Sequence, residues 1–257
     1  MASATPNDQL PRPTIRFPKR GLLGRLAPLP PIWLESRLAA EYRTLIRDPV
    51  WHGRRVPRGE GRPVLLIPGF LAGDQSLVTM RDWIRRMDYR PSLSGITVNI
   101  RYSEFLVEGI TARLVEHVEQ FGRKAAIVGH SRGGLLAKVI ADRNPDLVDQ
   151  VVALGSPLGN PYDVHPMTLA SVHTARFYNF VRYGNREHLE TEFEADLLAK
   201  PKVPITSVYT RSDGIVHWRA CIRPDIPTVE VRGSHSGLAH NAEVFHILAK
   251  LLAPTAR

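Results

Sequence analysis

The segment 125–136, AAIVGHSRGGLL, constrains this chain more than any other. Residues 125–128 form a short apolar run of the kind that fills a buried strand. Residues 135–141 begin a helical pattern that Asn144-Pro145 brings to an end. Between them stands Gly129-His130-Ser131-Arg132-Gly133, the G-x-S-x-G pattern of a nucleophile elbow. Such a turn drives the serine to positive φ and leaves room only for small residues two positions to either side. Gly129 and Gly133 meet that need, and Gly134 allows the helix to lie close to the strand. The pattern alone is also met in glycine-rich strand-to-helix turns that carry an ordinary serine. It gains weight from an acid and a histidine placed downstream of it.

A serine hydroxyl becomes a useful nucleophile when a base takes its proton, and the base needs an orienting carboxylate. Both are present in the order Ser, acid, His. Residues 203–210, VPITSVYT, read as a strand running into Arg211-Ser212-Asp213-Gly214, a turn by composition. Asp213 then sits past a strand's carboxyl end, where α/β sheets place functional groups. Asp225, the competing acid, lies between Pro224 and Pro227 with no strand before it. Residues 228–231 read as a last short strand. Gly233-Ser234-His235-Ser236-Gly237 comes next, and then a helical tail, 241–252. His235 sits among small residues that let an imidazole approach. His240 is the rival base, readable equally as a capping or packing histidine, and His217 comes too soon after Asp213 to need the second strand. For the oxyanion, backbone N–H donors are expected from Arg132, after the nucleophile, and from the loop Pro68-Gly69-Phe70-Leu71 beyond an apolar run at 64–67. Phe70 is the first candidate there and Leu71 the second. The alternative is a plain turn with Phe70 in the core.

These stretches resemble the α/β-hydrolase superfamily, and within it the bacterial serine esterases and small lipases. The matching segments are LLIPGFLAGD (65–74), AAIVGHSRGGLLA (125–137), VVALGSPLGNP (151–161), SVYTRSDGIVHW (207–218) and VEVRGSHSGLAHNAEVFHILAKLL (229–252). The resemblance covers about 60–252. It implies an α/β fold, a mostly parallel sheet flanked by helices, and it favours His235, which stands in a G-x-H-x-G-L-like loop. Many lipases carry His-Gly at the oxyanion loop, whereas this chain has Pro68-Gly69. The backbone donor is retained and the histidine's share is lost. The implied activity is hydrolysis of carboxylic esters through an acyl-enzyme by Ser131, Asp213 and His235. Acyl transfer, or C–C or amide hydrolysis, on the same three residues is the first alternative. A noncatalytic domain that binds a lipid or a partner is the second.

The remaining elements alternate as βαβ units do. Helices are expected over 75–87 and 103–121, and strands over 90–95 and 148–154. Between Gly159 and Pro201 the alternation breaks for longer than a plain loop in a compact domain. A helical cap over about 160–200 is expected there. Its histidines read as surface or packing residues. Its aromatic residues, Phe177 and Phe180 among them, offer a substrate-binding acyl wall together with Leu71, or equally pack the cap to the sheet.

At 257 residues the chain divides into a basic arm with one packed helix, 1–58, and a hydrolase-like domain, 59–257. Residues 1–62 hold twelve Lys/Arg against five Asp/Glu, +7 of the net +9. A solvated arm, or one resting on the domain's own acidic face, explains this best, and weak contact with an anionic membrane surface is the lesser reading. Trp33, Leu34, Leu38, Tyr42, Leu45 and Ile46 keep near-helical spacing after Pro30-Pro31, as in an amphipathic helix packed on the body. There is no 18-residue apolar run, no apolar core to the first twenty residues, and a single Cys221, a composition that suits the cytoplasm. No Cys/His cluster has metal-ligand spacing, and no dinucleotide or phosphate loop is present. Neither cofactor nor nucleic-acid partner is expected, only a small-molecule ester or lipid substrate.

Overall fold

The computed structural model describes residues 32–254; residues 1–31 and 255–257, which include Pro30-Pro31 and most of the basic arm, lie outside the described residues. Six parallel strands form one sheet in the order β2-β1-β3-β4-β5-β6: β1 Pro63–Ile67, β2 Arg90–Leu93, β3 Ala125–His130, β4 Val148–Leu154, β5 Ile205–Tyr209 and β6 Thr228–Glu230. β1, PVLLI, and β3, AAIVGH, are buried along their whole length. Strands covered on both faces need continuous apolar runs, which is why these were readable. β2 is an edge strand, so Pro91 removes no ladder hydrogen bond that the sheet needs.

Side-chain alternation divides the core between the two faces. Val64 and Leu66 join Ala126, Val128, Val152 and Leu154 on one face. That face is covered by α1 (Leu38–Arg47), α2 (Val78–Arg86) and α7 (Ala242–Leu251) through Leu45, Met80, Trp83, Phe245 and Leu248. Leu65 and Ile67 join Ile127, Val151 and Ala153 on the other. There α3 (Ser103–Phe121) and α4 (Arg132–Arg143) pack through Ile110, Leu114, Leu136 and Ile140. Each fully buried Leu or Ile contributes about 1.5–3 kcal/mol relative to an exposed one.

Three local departures from expectation have physical causes. The 75–87 helix opens as a 3-10 turn, Asp74–Leu77, before α2. The Asp74 carboxylate does not cap it, because it accepts from Ser94 Oγ at 2.6 Å and Gly95 N at 2.7 Å instead. α4 begins at Arg132, three residues earlier than its apolar pattern, because its first turn is the glycine pair itself. The N-terminal helix is a 3-10 turn, Ile32–Arg37, continued by α1, and only Leu45 of its apolar set is fully buried, with Trp33 72% exposed. Leu45 joins the main core cluster, and the rest of the stripe is left partly or largely exposed.

The cap region holds two helices, α5 (Pro166–Tyr183) and α6 (Glu187–Leu198). α6 is fixed from below by Lys138 of α4. Its fully buried ammonium pairs with Asp142 at 2.7 Å and donates to the carbonyls of Asp196 and of Ala199, the latter at 2.9 Å. The open carbonyls at the end of α6 thereby find a donor.

Candidate active site

β1 and β3 are neighbours in the sheet although β2 intervenes in sequence, so the chain reverses its direction of winding between them. Ligands of open α/β sheets bind at the carboxyl ends of strands at such a point. Ile67 lies opposite Gly129 in the register. The loops that leave β1 and β3 therefore emerge side by side.

Ser131 comes directly after β3 with φ +53° and ψ −122°, and its N–H donates to Leu154 O at 2.7 Å. The elbow is tight enough to explain its glycines. A Cβ at Gly129 would overlap the Gly133 carbonyl, and one at Gly133 would overlap that of Ile67. From the neighbouring loop, Gly69 is so near that a Cβ there would lie 3.0 Å from that of Ser131. Among the described residues the Phe70 N–H has no acceptor, whereas the Leu71 N–H is taken by Asn99 O at 3.2 Å. Leu71 thus serves as a wall residue, and Phe70 N–H stays open beside Ser131. Arg132 N–H heads α4, where no preceding turn supplies an acceptor. The Arg132 side chain turns away from the elbow to Asn99 Oδ1 (2.8 Å), Arg101 O (2.8 Å) and Ser103 Oγ (3.0 Å).

Asp213 and His235 are brought together from loops after β5 and β6. Asp213 Oδ1 accepts from Ile215 N at 2.8 Å and Val216 N at 2.7 Å, which leaves Oδ2 to accept from His235 Nδ1 at 2.6 Å. With Nδ1 protonated against the carboxylate, Nε2 is the lone-pair nitrogen. Burial pushes the His235 imidazole down, but the Asp213 carboxylate, by its charge and its hydrogen bond, and the charge of Glu35 outweigh burial, and the net shift is upward. Next to it His130 is pushed down to about 3 by burial and by the proximity of His235, so it stays neutral; its Nε2–H donates to His235 O at 2.9 Å. Ser131 and His235 both line one cavity of about 590 Å³ without being hydrogen-bonded to each other. Catalytic hydrogen bonds are often long in ligand-free enzymes.

The rival residues have other partners. Asp225 is paired with Arg223 at 2.7 Å. His217 lies 3.6 Å from Asp163. His240 borders the cavity and packs edge-on to Tyr42, ring centroids 5.8 Å apart.

The cavity runs under the cap. Met167, Ser171, Val172, Ala175 and Asn179 of α5 face it, a three-to-four-residue spacing that marks one side of a helix. Phe177 and Phe180 do not line it, contrary to expectation; Phe177 is 56% exposed. With about 3.6 residues to a turn, positions 177 and 180–181 fall on the outer side once 175 and 179 face inward. Phe193 and Leu197 of α6 complete the apolar wall.

Three side chains near the site had no signal in the sequence. Asn99 donates to Pro68 O at 2.8 Å and so steadies the loop carrying Phe70. Glu35 and Glu41, from the N-terminal segment, accept from the backbone of the acid and histidine loops. The Glu35 contacts join residues 179–201 positions apart, beyond any local pattern.

The chain has the α/β-hydrolase fold. Its structure superposes on a mature-form lipase of Bacillus licheniformis with a TM-score of 0.57, at 16% identity over 78% of this chain and 95% of that one. A putative aryl esterase from Burkholderia cenocepacia superposes with a TM-score of 0.52, at 17% identity over 77% of this chain and 92% of that one. In sequence, the chain is 34% identical over 126 residues to a 2-hydroxymuconate semialdehyde hydrolase of Pseudomonas putida. That match takes in 46% of this chain and 42% of the relative, well under half the relative's length. No family profile matches the chain.

Proposed function

We propose that the chain is a serine hydrolase acting on carboxylic esters. The observation that carries this reading is the 2.6 Å Asp213–His235 hydrogen bond set on the same cavity as a serine at positive φ. In this scheme Ser131 Oγ attacks the ester carbonyl as His235 Nε2 takes its proton. The carbonyl oxygen becomes an oxyanion that the Phe70 and Arg132 N–H groups receive. His235 then gives the proton to the departing alcohol, leaving an acyl-serine. Water, deprotonated by His235, releases the acid and restores Ser131. Asp213 holds the imidazole tautomer and stabilises the imidazolium formed in both halves. No step calls for a cofactor.

The lipase and esterase superpositions are consistent with an ester substrate, and the apolar wall under the cap suits an acyl chain. The partial relative favours a second reading: hydrolysis of a C–C bond beside a carbonyl by the same residues. A panel of p-nitrophenyl esters from acetate to palmitate, run beside 2-hydroxymuconate semialdehyde, separates them. Ester turnover that Ser131→Ala abolishes supports the first reading. Turnover of the semialdehyde alone replaces it with the second, and no turnover of either leaves acyl transfer, amide hydrolysis or a noncatalytic binding domain.

A further inference from the structure

Glu35 stands in the N-terminal 3-10 turn, yet its carboxylate lies between the two loops that supply Asp213 and His235. Oε1 accepts from Gly214 N at 3.0 Å and from His235 N at 2.9 Å, and Oε2 accepts from Ser236 N at 2.8 Å. Gly214 is the residue directly after the acid, and Ser236 the residue directly after the base. One helical turn and a half further on, Glu41 Oε1 accepts from Ser234 N at 2.8 Å. We propose that Glu35 is a positioning residue that ties the acid loop to the histidine loop and so sets the Asp213–His235 geometry.

Hydrogen bonds to a charged acceptor are shorter and stronger than neutral ones, and three on one carboxylate fix both loops to a single rigid group. The sheet does not provide this constraint. β6 is three residues long at the edge, and the loops beyond it leave the ladder. The ladder carries one further bond beyond β6, Val231 N to Tyr209 O at 2.8 Å, and among the described residues the direct cross-links between these loops are Thr210 Oγ1 to Gly233 O at 3.0 Å and the Asp213–His235 bond itself. Glu35 adds a third. The groups facing the His235 imidazole are then Asp213 from the acid loop, Glu35 from the N-terminal turn and neutral His130 from β3, so removing the Glu35 charge lowers the His235 pKa.

For its kinetic arm this inference rests on the proposed hydrolase reading; its spectroscopic arm does not. The test uses the full chain with 13C-labelled histidine, as wild type, Glu35→Gln, Glu35→Asp and Glu41→Gln. His235 is assigned by the signal lost in His235→Gln. Its titration midpoint, the melting temperature, and kcat and KM on p-nitrophenyl butyrate are measured. Glu35→Gln is expected to lower the His235 midpoint and to move the acid limb of kcat/KM by the same amount. It should cut kcat by about tenfold or more, since displacements near 1 Å are costly in an oriented site, with little change in KM. Glu35→Asp keeps the charge but is a carbon too short to reach both loops, so kcat falls while the midpoint falls by less than in Glu35→Gln. This variant carries the test if the glutamine variant does not fold. Glu41→Gln lowers the melting temperature without moving the midpoint. An unchanged midpoint in Glu35→Gln, or unchanged kcat in Glu35→Asp, overturns the inference while Ser131-dependent turnover still supports the hydrolase. A shifted midpoint in a protein that hydrolyses no ester supports the positioning role and removes the ester reading.

Discussion

At the scale of single residues, His235 is held by two opposed effects, burial and the Asp213 carboxylate, and the carboxylate prevails. A general base works in its neutral form. A raised pKa therefore places the acid limb of kcat/KM above the ordinary histidine value of about 6.5, with activity lost as pH falls through that midpoint. Asp213→Asn should move the limb to lower pH and cut kcat steeply, which a pH–rate profile reads directly. His235→Ala should cost roughly six orders of magnitude in kcat, by analogy with measured triads, and His240→Ala far less. A crippled His240→Ala beside an active His235→Ala would reverse the assignment. The elbow was legible because five adjacent residues carry it: Gly129, Ser131 and Gly133 report one backbone geometry. Glu35 and Asn99 were not, because each acts on backbone groups brought near only by the finished fold.

At the scale of elements, buried strands and the long helices Ser103–Phe121 and Arg132–Arg143 arise from apolar periodicity. The break in βαβ order between Gly159 and Pro201 was legible, and α5 and α6 occupy it, but which side of α5 faces the cavity was not. Aromatic content pointed to Phe177 and Phe180, while the α5 side of the cavity is lined by smaller residues such as Val172 and Ala175 and the aromatic contribution comes from Phe193 of α6. Aromatic content says how much apolar area an element has to offer, and only packing decides where it goes. Val172→Phe, which fills open cavity rather than packed core, should lower kcat/KM for octanoate relative to acetate esters by about 1–3 kcal/mol. Phe177→Ala should leave that ratio unchanged. A shifted ratio in Phe177→Ala with none in Val172→Phe would show that acyl chains bind elsewhere.

At the scale of the whole molecule, cap, elbow helix and sheet are joined through buried polar contacts as well as apolar packing. Lys138 is the clearest case, fully buried among Asp142 and the carbonyls of Asp196 and Ala199. Lys138→Met keeps the volume but leaves Asp142 and the two carbonyls without their shared cation. Breaking one side of such a pair costs about 3–5 kcal/mol, which should appear as a lower urea midpoint. Stability equal to wild type would mean that water reaches these groups. Among the described residues no helix is long and apolar enough to cross a membrane. The fold as a whole was legible because the sheet's inner strands are largely apolar and are separated by turn residues, while the edge strands β2 (RPSL) and β6 (TVE) carry little apolar signal. The N-terminal segment was expected to pack through an apolar stripe; Leu45 of that stripe does enter the core, and a pair of carboxylates, Glu35 and Glu41, adds contacts to loop N–H groups that no sequence pattern announced.

In the proposed mechanism Ser131 is a nucleophile activated by His235 and Asp213. A fluorophosphonate tests it most directly, because the reagent phosphonylates an activated serine whatever the natural substrate. Intact mass and peptide mapping should show one adduct per chain, on Ser131, with none in Ser131→Ala and much slower labelling in His235→Ala and Asp213→Asn. An adduct on another residue, or wild-type labelling in Ser131→Ala, would contradict the account.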